Sequence, residues 1–168
     1  MSERNGLITM KGNPLTLLGT EIKVGDNAPD VTLVANDLSE VKLSSFKGKK
    51  VILSVVPSLD TGICDLQTKR FNEEASKHSD IVVVTVSKDL PFAQKRWCGA
   101  ANATAVKTLS DYRSNFGEQY GVLIKGLALL ARSIFVVDQN GKVRYTQLVK
   151  EVASEPNYDD VLNAVKSI

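Results

Sequence analysis

Long apolar runs are missing from this 168-residue chain. No stretch approaches the roughly 18 residues that cross a bilayer, and the opening Met1-Ser2-Glu3-Arg4-Asn5-Gly6 lacks the apolar core of a secretory signal. A cytoplasmic location is the default expectation, although a mature periplasmic form would carry the same sequence once its leader was cleaved. An excess of one charge is missing as well. Lys and Arg number 21 against 19 Asp and Glu, and the formal net charge of +2 is spread evenly, which speaks against nucleic acid or a membrane surface as partner. Repeats, low-complexity tracts and interdomain linkers are absent, so one compact domain spanning 1–168 is expected. Histidine is reduced to His78, which with two cysteines leaves too few ligands for a zinc site, and no metal is expected. The two cysteines, Cys64 and Cys98, form no Cys-x-x-Cys pair and are too few to staple a miniprotein. What is present, 43% hydrophobic and 24% charged residues, is the composition of a folded globular domain.

The pattern along the chain alternates strands and helices. Leu7–Met10 and Leu15–Leu18 flank the turn formers Lys11-Gly12-Asn13-Pro14 and predict an N-terminal hairpin over about residues 7–18. Val31–Val34 and Val41–Leu43, separated by a polar stretch, predict a second. The β-branched run Val51–Val56, closed by Pro57, reads as a core strand buried on both faces. A helix is expected from Thr61 or Gly62 to Lys77, with Leu66, Phe71 and Ala75 turned inward and Lys69, Arg70, Glu73 and Glu74 in water. Ile81–Val86 repeats the buried-strand pattern, and Pro91 opens a further helix that carries Cys98. Ser133–Val137 and Val143–Leu148 flank Asn140-Gly141, an antiparallel hairpin signal, and Asp159–Lys166 supplies a closing helix. The sum is an α/β domain whose mixed sheet has central strands connected through helices.

Cys64 is the residue on which chemistry concentrates. It leaves a buried strand through Pro57-Ser58-Leu59-Asp60-Thr61-Gly62-Ile63 and enters the first turn of a helix. Unpaired backbone N–H groups there favour S⁻, and cysteines at such positions titrate at about 3.5–7.5 rather than about 8.5. Thr61 can cap that helix or offer its hydroxyl to a substrate oxygen beside the sulfur, and Pro57 fixes the strand exit and keeps water out. A lone buried thiol more often just fills a gap between helix and sheet; the surrounding motif decides otherwise.

Pro-x-x-x-Thr-x-x-Cys at a strand-to-helix junction resembles the active-site signature of peroxiredoxins. The fuller run Ser58-Leu59-Asp60-Thr61-Gly62-Ile63-Cys64, followed by Thr68, Phe71 and Asn72, is similar to the bacterial thiol peroxidase branch, as is Arg96-Trp97-Cys98-Gly99-Ala100. Ser110-Asp111, Phe116-Gly117, Tyr120-Gly121 and Leu130-Ala131-Arg132 extend the resemblance over most of the chain. Trp97, where the branch carries another aromatic, is the chief departure.

This resemblance implies a thioredoxin-like three-layer α/β fold, with a central mixed sheet flanked by helices and an added N-terminal hairpin. It also implies a peroxidase acting on hydrogen peroxide and organic hydroperoxides without a cofactor. Cys64 would be oxidised to a sulfenic acid, Cys98 would resolve it as an intrachain disulfide, and thioredoxin would reduce that bond. A homodimer follows from the family alone. Arg132 carries a permanent charge able to reach sulfur and peroxide oxygens; position alone would not single it out among the arginines, and the Leu-Ala-Arg segment does. Arg113 reads as a structural ion-pairing or interface residue, and Trp97, Phe116 and Tyr120 as core or pocket wall. Three alternatives stand beside this reading. One is a thiol–disulfide oxidoreductase of the same fold, which the missing Cys-x-x-Cys disfavours. Another is a non-catalytic binding module with incidental cysteines. The last is a static Cys64–Cys98 disulfide, which loop closure would make worth about 4 kcal/mol but a reducing compartment disfavours.

Overall fold

The computed structural model describes residues 1–168. The N-terminal hairpin forms from β1 (Glu3–Met10) and β2 (Asn13–Leu18), and β1 begins four residues earlier than the apolar pattern suggested. Lys11 and Gly12 both take positive φ, 49° and 81°, the geometry of a tight hairpin turn. Next come β3 (Thr32–Val34) and β4 (Glu40–Lys42), antiparallel as expected, although Leu43 belongs to a 3₁₀ turn, Leu43–Phe46. The centre is β5 (Lys50–Val55), α1 (Gly62–Lys77), β6 (Ile81–Ser87), α2 (Pro91–Ala101) and β7 (Lys107–Ser110). The chain then passes through α3 (Phe116–Gln119), β8 (Leu123–Ile124) and β9 (Leu129–Leu130). It ends with β10 (Ser133–Val137), β11 (Val143–Leu148) and α4 (Tyr158–Lys166). No helix is long and apolar enough to cross a membrane.

Seven strands form the main sheet in the order β11-β10-β5-β6-β7-β3-β4, with β5, β6 and β7 parallel and their neighbours antiparallel. The two parallel connections run through α1 and α2, since a parallel crossover needs an element long enough to return the chain. The remaining strands make a second sheet, β1-β2-β8-β9, because Leu17 and Leu18 of the hairpin pair with Ile124 and Leu123. That pairing joins segments far apart in sequence, and the two-residue strands β8 and β9 are too short to leave a periodic signal.

Alternation along the central strands divides the interior in two. Leu53 and Val55 of β5, with Val84 and Val86 of β6, face the second sheet, Phe116 and Tyr120. Ile52, Val83, Ile134 and Val136 face the other way, against Phe71 of α1, Trp97 of α2 and Val161 and Val165 of α4. Cys64 lies wholly within this second layer, and Cys98 packs at its border. Phe116, Tyr120 and Trp97 are buried, as core residues should be, and Arg113 is an exposed partner of Glu40.

Helix α1 departs from the inward face its apolar residues suggested. Leu66 is 50% exposed, whereas Gln67 and Thr68 are buried beside Cys64 and Phe71. Leu66 and Phe71 are five positions apart, too far round the helix to share a stripe. Two polar side chains therefore lie where apolar ones were expected, and one of them belongs to the site.

Candidate functional site

The loop between β5 and α1 is shaped by side chains rather than by regular structure. Pro57 is buried at the strand exit. Beyond it, Asp89, just ahead of α2, grips the loop: its carboxylate accepts from the Ser58 hydroxyl at 2.7 Å and the Leu59 amide at 2.8 Å, as well as from Ser87 Oγ at 2.8 Å. Ser58 then turns the chain, its carbonyl accepting from both the amide and the hydroxyl of Thr61. Thr61 occupies the N-cap position, but its hydroxyl makes no capping bond to α1. This corrects the expectation of a side-chain cap: the tight turn at Ser58 draws the hydroxyl backward, away from the amides it would otherwise satisfy. Gly62, Ile63 and Cys64 consequently form a first turn whose amides have no hydrogen-bond partner within the chain.

Cys64 has no exposed surface, and its Sγ lies 3.3 Å from Arg132 Nη2. Arg132 is itself only 2% exposed, just ahead of β10. Its Nε donates to the Val152 carbonyl at 2.9 Å and its Nη1 to Gln67 Oε1 at 2.9 Å, while Gln67 Nε2 donates to Ser54 Oγ at 2.8 Å. No carboxylate pairs with this guanidinium. A buried cation without a carboxylate partner is costly, and the Cys64 sulfur lies directly against it. The guanidinium and the unpaired amides of the first turn of α1 thus meet at this residue.

Pro57, Thr61 and Arg132 line one open groove with Met10, Leu66, Leu129 and Val152, while Cys64 is fully buried and meets the groove through Arg132. The groove and that contact unite four of the residues singled out in the sequence, and the groove is walled in part by the N-terminal hairpin. The fifth, Cys98, lies elsewhere, in the last full turn of α2. Its Sγ is 3.4 Å from Thr108 Oγ1, whose own hydroxyl donates to Asn36 Oδ1 at 2.9 Å. Both cysteines are free thiols.

Two side-chain pairs tie α2 to α1 and to the loop ahead of it. Trp97 Nε1 donates to Asp65 Oδ1 at 2.8 Å, and Arg96 pairs with Asp60 at 2.5 Å. Burial opposes the charge on Asp65, but Lys69 and the Trp97 indole outweigh it and hold the carboxyl below its ordinary range. Asn72 Oδ1 accepts from the Ala105 and Val106 amides, fixing the chain between α2 and β7. Four site residues escaped sequence reasoning: Ser54, Gln67, Asp89 and Val152. Ser54 did leave a signal, a hydroxyl inside an otherwise apolar strand; Val152 contributes only its carbonyl, which no side-chain pattern reveals.

Comparison with known proteins follows the same lines. A family model described as Redoxin matches residues 23–162. A thiol peroxidase of Bacillus subtilis (strain 168) is 57% identical over 162 residues, 96% of this chain and 97% of that protein. The thiol peroxidase of Staphylococcus haemolyticus (strain JCSC1435) is 53% identical over 96% of this chain and 98% of its own length. Among solved structures, a peroxiredoxin-like protein from Aquifex aeolicus superposes with a TM-score of 0.91 at 46% identity, covering 97% of this chain and 98% of that one.

Proposed function

For a chain that belongs to the redoxin family and is a thiol-dependent peroxidase, we propose that Cys64 is the sulfur that attacks peroxide and Cys98 the one that resolves the product. The single observation that carries this reading is the buried Arg132 guanidinium, without a carboxylate, against Cys64 Sγ at 3.3 Å. The thiolate attacks the terminal oxygen of R–O–O–H, the O–O bond breaks, and the electron pair leaves with R–O⁻, which takes a proton to become the alcohol. Sulfur has gained one oxygen as S–OH. The Arg132 fork, still fixed by Val152 and Gln67, stabilises charge as it passes from sulfur to the leaving oxygen. The Thr61 hydroxyl, now held by Ser58, is within the same groove to meet a peroxide oxygen.

Resolution follows when the Cys98 sulfur displaces hydroxide from Cys64 S–OH. The thiol proton accompanies the leaving group as water, and one S–S bond forms. Cys64 is engaged by Arg132 and Cys98 by Thr108, on separate helices. A disulfide needs Cα atoms within about 7 Å, and opening of the first turn of α1 or the last of α2 is the step proposed to bring the two sulfurs together. The finished bond is reduced by exchange with an external dithiol, for which we assign thioredoxin. The protein acts as one domain and, by family resemblance, as a homodimer.

Intact-mass measurement after peroxide treatment tests the assignment. Native chain should lose two thiols and gain one intrachain bond. Cys64→Ser should consume no peroxide with thioredoxin present. Cys98→Ser should react once, stop at S–OH and pass to the sulfinic acid in excess peroxide. Sustained turnover by Cys64→Ser would overturn the assignment, as would a Cys98→Ser variant unable to react even once.

A further inference from the structure

The charged fork of Arg132 is held at three points, and one of them is itself suspended. Val152 offers a backbone carbonyl, but Gln67 offers the end of a flexible side chain whose amide is placed by three rotatable bonds. Arg132 is a donor only, so it demands the Oε1 end of that amide. The Nε2 end is then turned towards the sheet, and since Gln67 is fully buried no water competes for it. Its acceptor is Ser54 Oγ.

We infer that Ser54 is a positioning residue for the peroxidase reaction, acting through Gln67 to set where the guanidinium meets the Cys64 sulfur. Ser54 is fully buried and sits in the middle of β5, paired with Ile134 of β10 on one side and Thr85 of β6 on the other. A residue held by two strand ladders is about as fixed a point as this fold provides. Three positions further along the same stretch of chain stands Pro57, which lines the groove. The strand therefore locates one wall of the groove directly and the cation beneath it through two hydrogen bonds, Ser54 to Gln67 and Gln67 to Arg132. Without the hydroxyl, the Nε2 group is buried with no acceptor, and the amide relieves this by swinging towards the groove. Arg132 then loses its Nη1 partner and turns about the remaining contacts, so that Nη2 no longer meets the sulfur at hydrogen-bond distance.

The inference rests on Cys64 being the attacking sulfur, so its test includes a readout that needs no peroxide. In a Cys98→Ser background, the rate of Cys64 alkylation by iodoacetamide is followed across a pH series, and single-turnover oxidation by hydrogen peroxide is followed separately. Ser54→Ala should slow oxidation about tenfold and move the alkylation profile to higher pH. Thr and Val have the same shape and differ here only in the hydroxyl, so Ser54→Thr should keep the native profile and Ser54→Val should not. That pair decides the matter if Ser54→Ala folds poorly. In an Arg132→Lys background, which already lacks the fork, Ser54→Val should change neither readout relative to Ser54→Thr. A native pH profile and oxidation rate in Ser54→Val would overturn the inference, as would an equal Thr-to-Val difference with Lys at position 132. Failure of the catalytic assignment itself would appear differently, as peroxide turnover persisting in Cys64→Ser.

Discussion

Replacing Asp89 should loosen the loop that leads into Cys64, the proposed attacking cysteine, while leaving the sheet intact. Its carboxylate accepts from Ser58 Oγ, the Leu59 amide and Ser87 Oγ at 2.7–2.8 Å. In Asp89→Ala the amide of Leu59, a residue 2% exposed, loses its partner with no water to replace it. An orphaned buried donor costs about 1–3 kcal/mol, and the half-buried hydroxyls add less because solvent reaches them. A total of about 2–4 kcal/mol is expected. Asp89→Asn keeps the shape and gives up mainly the charge assistance, for about 1–2 kcal/mol. Asp89 also stands immediately ahead of the Leu90 N-cap of α2, so it ties together the chain entering both cysteine-bearing helices. Opening of this region should become about 30- to 1,000-fold more frequent in the alanine variant, at tenfold per 1.4 kcal/mol. Urea unfolding reads the stability, and amide hydrogen exchange over residues 58–65 reads the local opening. Peroxide oxidation of Cys64 should slow while disulfide formation accelerates relative to it. Loss of less than 0.5 kcal/mol, about the level of an ordinary surface substitution, together with native protection of those amides, would refute the reasoning.

Trp97→Phe removes the indole donor to Asp65 and should speed disulfide formation several-fold in stopped-flow measurements; slower formation would mean that the contact brings the helices together rather than restraining them. Thr85 Oγ1 is buried without a partner, so Thr85→Val, equal in shape, should raise stability by about 1 kcal/mol in chemical denaturation. Glu151 accepts from the Ala153 and Gly12 amides and from the Thr9 hydroxyl, which hold its carboxyl down at about 2 against an ordinary 4.5. A depressed carboxyl stabilises the fold above its unfolded value, so docking of the N-terminal hairpin should be complete above pH 4.5 and weaken as pH falls through about 2. Exchange at the Gly12 amide should follow that curve in the native chain and lose it in Glu151→Gln. Hydrogen exchange on the dithiol and disulfide forms should differ within about residues 61–69 and 92–101, since β5 and β6 are buried and paired on both sides.

The elements that reveal themselves in the sequence are those whose periodicity is long enough to count. The runs 51–56 and 81–86 are apolar because both faces of β5 and β6 are covered, and Asn140-Gly141 announces a hairpin because few other residues accept its φ. By contrast, β8 and β9 are two residues each and owe their existence to β2, whose position depends on the rest of the fold. The site divides along the same line. Cys64, Thr61 and Pro57 share one short stretch and a spacing with chemical meaning, so they stand out together. Gln67 and Ser54 act through a hydrogen bond between two elements, and their polarity appeared only as interruptions in apolar patterns. Asp89 was hidden for a different reason: a carboxylate beside a helix-opening proline is ordinary in solvent, and only the packed loop makes it a clamp.

The distance along the chain between Cys64 and the guanidinium that faces it is 68 residues, and Val152, which anchors that guanidinium, lies another 20 beyond. Ribosomes add about 5–20 residues per second, so roughly 3–14 s pass after Cys64 is made before Arg132 exists. During that interval the growing chain holds Cys64 without the Arg132 cation and without β10 to complete the wall of its layer. A polypeptide abandoned before Arg132, by premature termination or proteolysis, lacks the guanidinium that faces the Cys64 sulfur. On the proposed assignment, competence therefore arrives only with near-completion of synthesis.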